Sequence, residues 1–340
     1  MKALVCEEPG RLRLDDRPEP GSPPPGWALV SVSHVGICGT DYHIYGGKHP
    51  FLNYPRVMGH EVSGRVVAVG ADVAIAPGSP VVVNPYVSCG HCGACRKGKP
   101  NCCTAIAVLG VHTDGAMCER VLVPAGNLYP AAGITLEQAA TVEFLAIGAH
   151  GVRRSGAAPG ATALVIGAGP IGLGTALFAR IAGQRVTLLD TSVERLAFAR
   201  DALGFDDTLL AGDGLADRVA AHTGGEGFDV VYDATGAAPS IEAAFAHVGH
   251  GGTLVLLSVV RDTISFSDPE FHKREMTLHG SRNATRVDFD HVLACLKDGR
   301  IDVAPLITHR TTLAGAADDL PRWASEKTGL VKAMIVVDAA

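Results

Sequence analysis

From Met1 to about residue 140, apolar residues come in short β-type runs broken by Gly and Pro. Residues 28–35 and 81–83 predict strands, and 21–26, with its prolines between two glycines, predicts a loop. Residues 62–70 predict a strand with a glycine at its bend. Residues 36–43 predict a turn that ends a strand and exposes Cys38. This texture belongs to a β-barrel-like domain rather than a helical one. From Val142 the pattern changes to alternating strands and helices. A helix start falls at 141–150, a buried strand at 161–166, a helix at 171–182 and a second strand at 185–190. Further strands fall at 228–233 and 252–258, and a last one at 331–337 is expected to rejoin the first domain. A chain of 340 residues exceeds the usual single-domain size, so two domains are expected.

Composition narrows the function classes. Hydrophobic residues make up 47% and charged residues 19%, which describes a packed globule and not a disordered chain. A net charge of -6 with no run of Lys or Arg argues against a nucleic-acid partner. With no apolar stretch of eighteen residues and a start that leads straight into a strand, neither a membrane span nor a signal peptide is expected. The expected compartment is therefore the reducing cytoplasm. Cysteines bunched between Cys89 and Cys103 then read as metal ligands rather than disulfides.

Cys89, Cys92 and Cys95 follow one another at a spacing of three, and Cys102 or Cys103 supplies a fourth sulfur. Four such cysteines wrap one tetrahedral zinc and leave no place for a substrate, so this site is structural. Spacing alone does not choose between Cys102 and Cys103. A second cluster is suggested by Cys38 together with Gly59-His60-Glu61, since thiolate, imidazole and carboxylate are the side chains that bind zinc best.

Gly167, Gly169 and Gly172 stand between the strand 161–166 and the helix that follows, with Pro170 and Ile171 at the turn. Asp190 ends the next strand. Strand, glycines, helix, strand and acid in this order read as a dinucleotide-binding unit. The helix N-terminus faces the pyrophosphate, and Asp190 accepts hydrogen bonds from the adenosine ribose. A 2′-phosphate would meet the charge of Asp190, so NAD is favoured over NADP.

Together these motifs resemble the zinc-dependent medium-chain dehydrogenase/reductase family over essentially the whole chain. Gly59-His60-Glu61-x-x-Gly64-x5-Gly70 matches that family's zinc signature, and the cysteine lobe and glycine fingerprint follow in the family's order. Cys89-Gly-His-Cys92, Gly98-Lys-Pro-Asn101, Val108-Leu-Gly-Val-His112 and Leu306-Ile-Thr-His309 resemble its polyol and sugar-acid branch; sorbitol and threonine dehydrogenases share the frame. The resemblance implies an α/β protein with a GroES-like β-barrel catalytic domain, 1–146 completed by 284–340, and a Rossmann doubly wound parallel-sheet domain, 147–283. It implies two zinc ions, one catalytic and one structural held by Cys89, Cys92, Cys95 and Cys103. Cys38 and His60 bind the catalytic ion, with Glu61 or Glu143 as the third ligand. Simple alcohol dehydrogenases carry a cysteine at the position of Glu143, so this chain departs from them there.

Thr40 and His43 fall where the family keeps its proton relay, and Arg195 where it contacts the adenosine end. Ser258 joins Gly167, Gly169, Pro170, Ile171, Gly172 and Asp190 in the cofactor set, and Arg282 is a candidate for the substrate or cofactor. The implied reaction is hydride transfer from a secondary alcohol to NAD, the substrate being a polyol or a sugar acid of the L-galactonate or L-gulonate kind. The 5% aromatic content gives few residues for a long apolar pocket, which points the same way. The family also implies a homo-oligomer, dimer or tetramer.

Overall fold

A computed structural model describes residues 1–49, 52–326 and 328–337. The chain divides into two compact units, Met1–Glu143 with Thr285–Ala340, and Phe144–Ala284. Among the described residues no helix is long and apolar enough to cross a membrane.

The first unit is built on a seven-stranded sheet. Along it run Leu128–Pro130, Pro80–Val83, Glu61–Val69, Trp27–Ile37, Lys332–Val336 and Ile307–Thr312, and Arg120–Pro124 also pairs with Trp27–Ile37. The C-terminal strand Lys332–Val336 thus lies against Trp27–Ile37, antiparallel, with Ala333 opposite Ile37. On its other side Trp27–Ile37 pairs with Glu61–Val69, which sets Gly36 opposite Glu61. Two residues distant in sequence, Glu61 and Lys332, therefore flank the same strand end. Val30, Val32, Val35, Val62, Val66 and Ile335 fill the core beneath.

Residues 36–43 end the strand as expected, but they continue as a helix rather than a turn. The strand ends at Ile37 and the helix Gly39–Tyr45 begins at once, with Cys38 as its N-cap. The Asp41 carboxylate accepts the Cys38 N–H at 2.8 Å and so satisfies a donor that the first turn would leave unpaired. Cys38 is in consequence half-buried rather than exposed.

The second unit is a six-stranded parallel sheet in the order Thr208–Leu210, Arg185–Asp190, Thr162–Ile166, Phe228–Asp233, Val248–Leu256, Thr277–Gly280. Numbered within the unit this is 3-2-1-4-5-6, the doubly wound order whose switch point lies between the first and fourth strands. The middle strands carry continuous apolar runs. Ala163, Leu164, Val165, Val230, Val231, Leu254 and Val255 are all buried, as a sheet covered on both faces requires.

Candidate functional site

In the first unit Cys38, His60 and Glu61 offer a sulfur, a nitrogen and a carboxylate oxygen that lie within 4.8 Å of one another. His60 and Glu61 are brought there at the start of the strand Glu61–Val69, and Cys38 at the end of Trp27–Ile37. A side chain at Gly36 would collide with Glu61 Oε2, so the bare backbone there is what makes room for the carboxylate.

Charge decides how this pocket behaves. Lys332 is buried and places Nζ 2.6 and 2.8 Å from the two oxygens of Glu61, while also donating to the Ile37 carbonyl at 3.3 Å. Desolvation opposes that ammonium, but Glu61 and Cys38 overcome it and hold the lysine pKa up. Asp41 is fully buried and accepts N–H groups from Cys38 and Gly59; burial raises its pKa. Its Oδ1 stands 3.9 Å from His60 Nδ1, a buried nitrogen with no hydrogen-bond partner among the described residues. Desolvation pushes His60 down, yet Asp41 and Cys38 carry it well above its usual value.

Glu143, in the first turn of the helix Val142–Ser155, completes the picture. Its Oε1 accepts from the Tyr86 hydroxyl, and its Oε2 is buried with no partner among the described residues. Burial raises its pKa to about 7, with Glu61 adding to the rise. Burial also carries Tyr86 well above its usual value, followed by the charge of Glu143, so the phenol is the donor.

Glu61, Cys38 and Glu143 thus bring their charge to bear on one buried lysine, an excess of acidic groups that a proton on Glu143 can relieve. A divalent cation relieves it as well, and the donor set of thiolate, imidazole and carboxylate suits zinc. Proximity and hydrogen bonding favour different carboxylates. Glu61 is within the 4.8 Å cluster, but both its oxygens are engaged by Lys332; Glu143 lies outside that cluster, but keeps a buried oxygen unpaired. An unpaired buried oxygen costs free energy until it finds a partner, whereas the oxygens of Glu61 already have one in Lys332.

Thr40 and His43 lie three apart on the helix Gly39–Tyr45, half-buried and exposed respectively, hence on one face. The four sulfurs of Cys89, Cys92, Cys95 and Cys103 form a second cluster within 4.8 Å, in the segment between the paired strands Tyr86–Val87 and Ala107–Val108. Cys103 is buried and accepts from the N–H groups of Cys89 and Ala105, whereas Cys102 is exposed, so the fourth sulfur of the cluster is that of Cys103. Backbone N–H groups of Cys95 and Thr104 bring the Cys92 thiol down to about 5. This is the direction that readies a sulfur for metal.

In the second unit the glycines take distinct parts. Gly167 has φ +97°, and a side chain at Gly172 would run into the Gly167 carbonyl, so helix and strand close up only with glycine there. Gly169 caps the helix Pro170–Ile181, whose first residues include Ile171, and open space surrounds it. Asp190 accepts from Ala168 N at 2.7 Å and Ser192 N at 2.8 Å, and Arg195 Nη1 stands 3.8 Å away. Ser258 is half-buried just past the C-terminal end of Val248–Leu256, on the side of the sheet where ligands of such folds bind. Arg282 is exposed near the end of this unit.

Asp41, Tyr86 and Lys332 were not legible as site residues. Asp41 had a signal in its place three after Cys38, and Lys332 in being the lone charge of an apolar strand; Tyr86 had none. Two cavities lie elsewhere. One, about 550 Å³, is lined by Trp27, Cys118 and Leu122 among others, the other, about 700 Å³, by Asp207, His222 and His250; neither is lined by Cys38, His60 or Glu143.

The chain is similar over its whole length to known dehydrogenases. Residues 24–133 match the alcohol dehydrogenase GroES-like domain, and residues 170–298 match the zinc-binding dehydrogenase domain. The L-galactonate-5-dehydrogenase of Escherichia coli (strain K12) is 41% identical over 338 residues, covering 98% of each chain. Among solved structures, the alcohol dehydrogenase rspB of E. coli CFT073, complexed with NADH, superposes with a TM-score of 0.93 at 31% identity, covering 99% of each chain. A zinc-binding dehydrogenase from Sinorhizobium meliloti 1021, bound to NADP, gives 0.87 at 32% identity, covering 98% of each.

Proposed function

The chain belongs to the zinc-binding alcohol dehydrogenase family, and from that premise we propose that it oxidises a secondary hydroxyl of a sugar acid or polyol to the ketone, with NAD as acceptor. The observation that carries the reading is the buried, unpartnered Oε2 of Glu143, a carboxylate whose charge reaches His60. Cys38, His60 and Glu143 would hold the catalytic zinc, and Cys89, Cys92, Cys95 and Cys103 the structural one. A carboxylate in place of a second sulfur keeps the site hard, which suits a substrate rich in neighbouring oxygens.

When bound, zinc supplies a Lewis acid that makes a hydroxyl acidic, and NAD supplies the hydride acceptor. The protein's own groups do the rest. Thr40 takes the hydroxyl proton and passes it toward His43, the exposed member of the pair, and so to solvent. Asp41, 3.9 Å from His60 Nδ1, sets the charge around the imidazole. Glu61, neutralised by Lys332, stays in reserve. Gly167, Gly169, Pro170, Ile171 and Gly172 seat the pyrophosphate, Ser258 lines the cofactor side, and Asp190 selects NAD by repelling a 2′-phosphate. Arg195, beside Asp190, meets the adenosine end, and Arg282 supplies a cation for a substrate carboxylate. The family resemblance supports a cytoplasmic homo-oligomer, dimer or tetramer.

A panel of L-galactonate, L-gulonate, sorbitol, threonine, ethanol and benzyl alcohol, with NAD and NADP in turn, tests the reading. The sugar acids with NAD are expected to give the highest kcat/KM. A preference for ethanol or benzyl alcohol would sink it, and equal use of both cofactors would remove the role given to Asp190.

Metal retention should follow pH. The Glu143 carboxyl, raised to about 7, binds a proton below that pH and must shed it before it can ligate. Each proton released costs about tenfold in affinity per pH unit, so between pH 7 and 5 the catalytic-site affinity is expected to fall by about 100-fold or more. Chelator competition across this range measures it, and a flat profile would speak against Glu143 as a ligand.

A further inference from the structure

Tyr86 is held at both ends. Its N–H donates to Asn84 Oδ1 at 3.0 Å, its carbonyl accepts from Asn127 Nδ2 at 3.1 Å, and it pairs with Val108 in the short two-stranded sheet. Its ring meets Phe289 edge-on, centroids 6.4 Å apart at 81°, and the residue is only 9% exposed. A side chain fixed in this way delivers its hydroxyl to one place, and that place is Oε1 of Glu143. The carboxylate is then engaged through one oxygen, and the oxygen left over is the buried, unpaired Oε2.

We propose that Tyr86 is a positioning residue of the metal centre: by donating to Oε1 it presents Glu143 through Oε2 alone, as a one-oxygen ligand beside Cys38 and His60. The proposal rests on Glu143 being the third ligand. Hydrogen bonds to a ligating carboxylate fix its orientation, and losing one typically weakens metal binding about 10- to 100-fold. Without the phenol the carboxylate would be free to rotate, to bind through both oxygens, or to release the ion.

Tyr86→Phe keeps the ring against Phe289 and removes only the hydroxyl. In chelator competition the catalytic-site metal is expected to be lost about 10- to 100-fold more readily, while the four-cysteine metal stays and certifies the fold. With cobalt in place of zinc, the visible absorption bands should change in position or intensity, as the ligand geometry changes. Asn127→Ala, which frees the Tyr86 carbonyl and leaves the phenol intact, should shift both readouts in the same direction and serves if Tyr86→Phe does not fold. Unchanged affinity and an unchanged cobalt spectrum would overturn the proposal. Glu143→Gln separates the two levels. If it binds the second metal as tightly as the unmodified protein, Glu143 is no ligand and the underlying reading fails; if it does not, while Tyr86→Phe is silent, only the positioning role fails.

Discussion

Replacing Cys38 by Ser is expected to lower kcat/KM by about 1,000-fold or more without unfolding the protein. The thiolate is the one soft ligand of the trio Cys38, His60 and Glu143, and a serine hydroxyl is a poor substitute for it at neutral pH. The Lewis acid contributes several kcal/mol to the transition state, and each 1.36 kcal/mol is about tenfold in rate. Metal content should fall from two ions per chain to one, because the four sulfurs of the lobe are untouched. Far-UV circular dichroism should not change. Retained turnover with a single metal would show that the Cys38 cluster does not do the chemistry.

Replacing Lys332 by Met should have the largest effect on stability. Lys332 and Glu61 are 2% and 0% exposed, and the ammonium contacts both carboxylate oxygens. Removing one member of a buried pair leaves the other charged and unsolvated, at a cost of about 3–5 kcal/mol. Urea denaturation of the metal-free protein should register that loss. Adding Glu61→Leu to Lys332→Met should restore most of it, since an apolar pair can replace a buried ion pair at little cost. The opposite outcome is also informative. If Lys332→Met costs less than about 1 kcal/mol and tightens metal binding, Glu61 has been released to the ion and is the third ligand.

How far the sequence could be read depended on how local each feature is. The strand Thr162–Ile166, its glycines, the helix Pro170–Ile181 and Asp190 all follow one another closely in the chain, and turn, close packing and ribose recognition each call for one residue type. The cysteine lobe is as local, and only the choice between Cys102 and Cys103 waited on burial. The surroundings of His60 were not legible, because sheet pairing assembles them. Lys332 reaches Glu61 only because both of their strands flank Trp27–Ile37, and Tyr86 reaches Glu143 across 57 residues of chain. The misread turn at 36–43 has a similar cause. So short a segment after a strand reads as a turn, whereas the Asp41 side chain closes a helical turn on Cys38.

The most direct test of the proposed chemistry follows one hydrogen. L-galactonate carrying deuterium on C5 is incubated with NAD and the zinc-loaded protein, and the reduced cofactor is weighed by mass spectrometry. Direct hydride transfer predicts one deuterium in each molecule of reduced nicotinamide, matched by one molecule of the C5 ketone. Reduced cofactor without deuterium, or no reduction with any sugar acid or polyol, would contradict it.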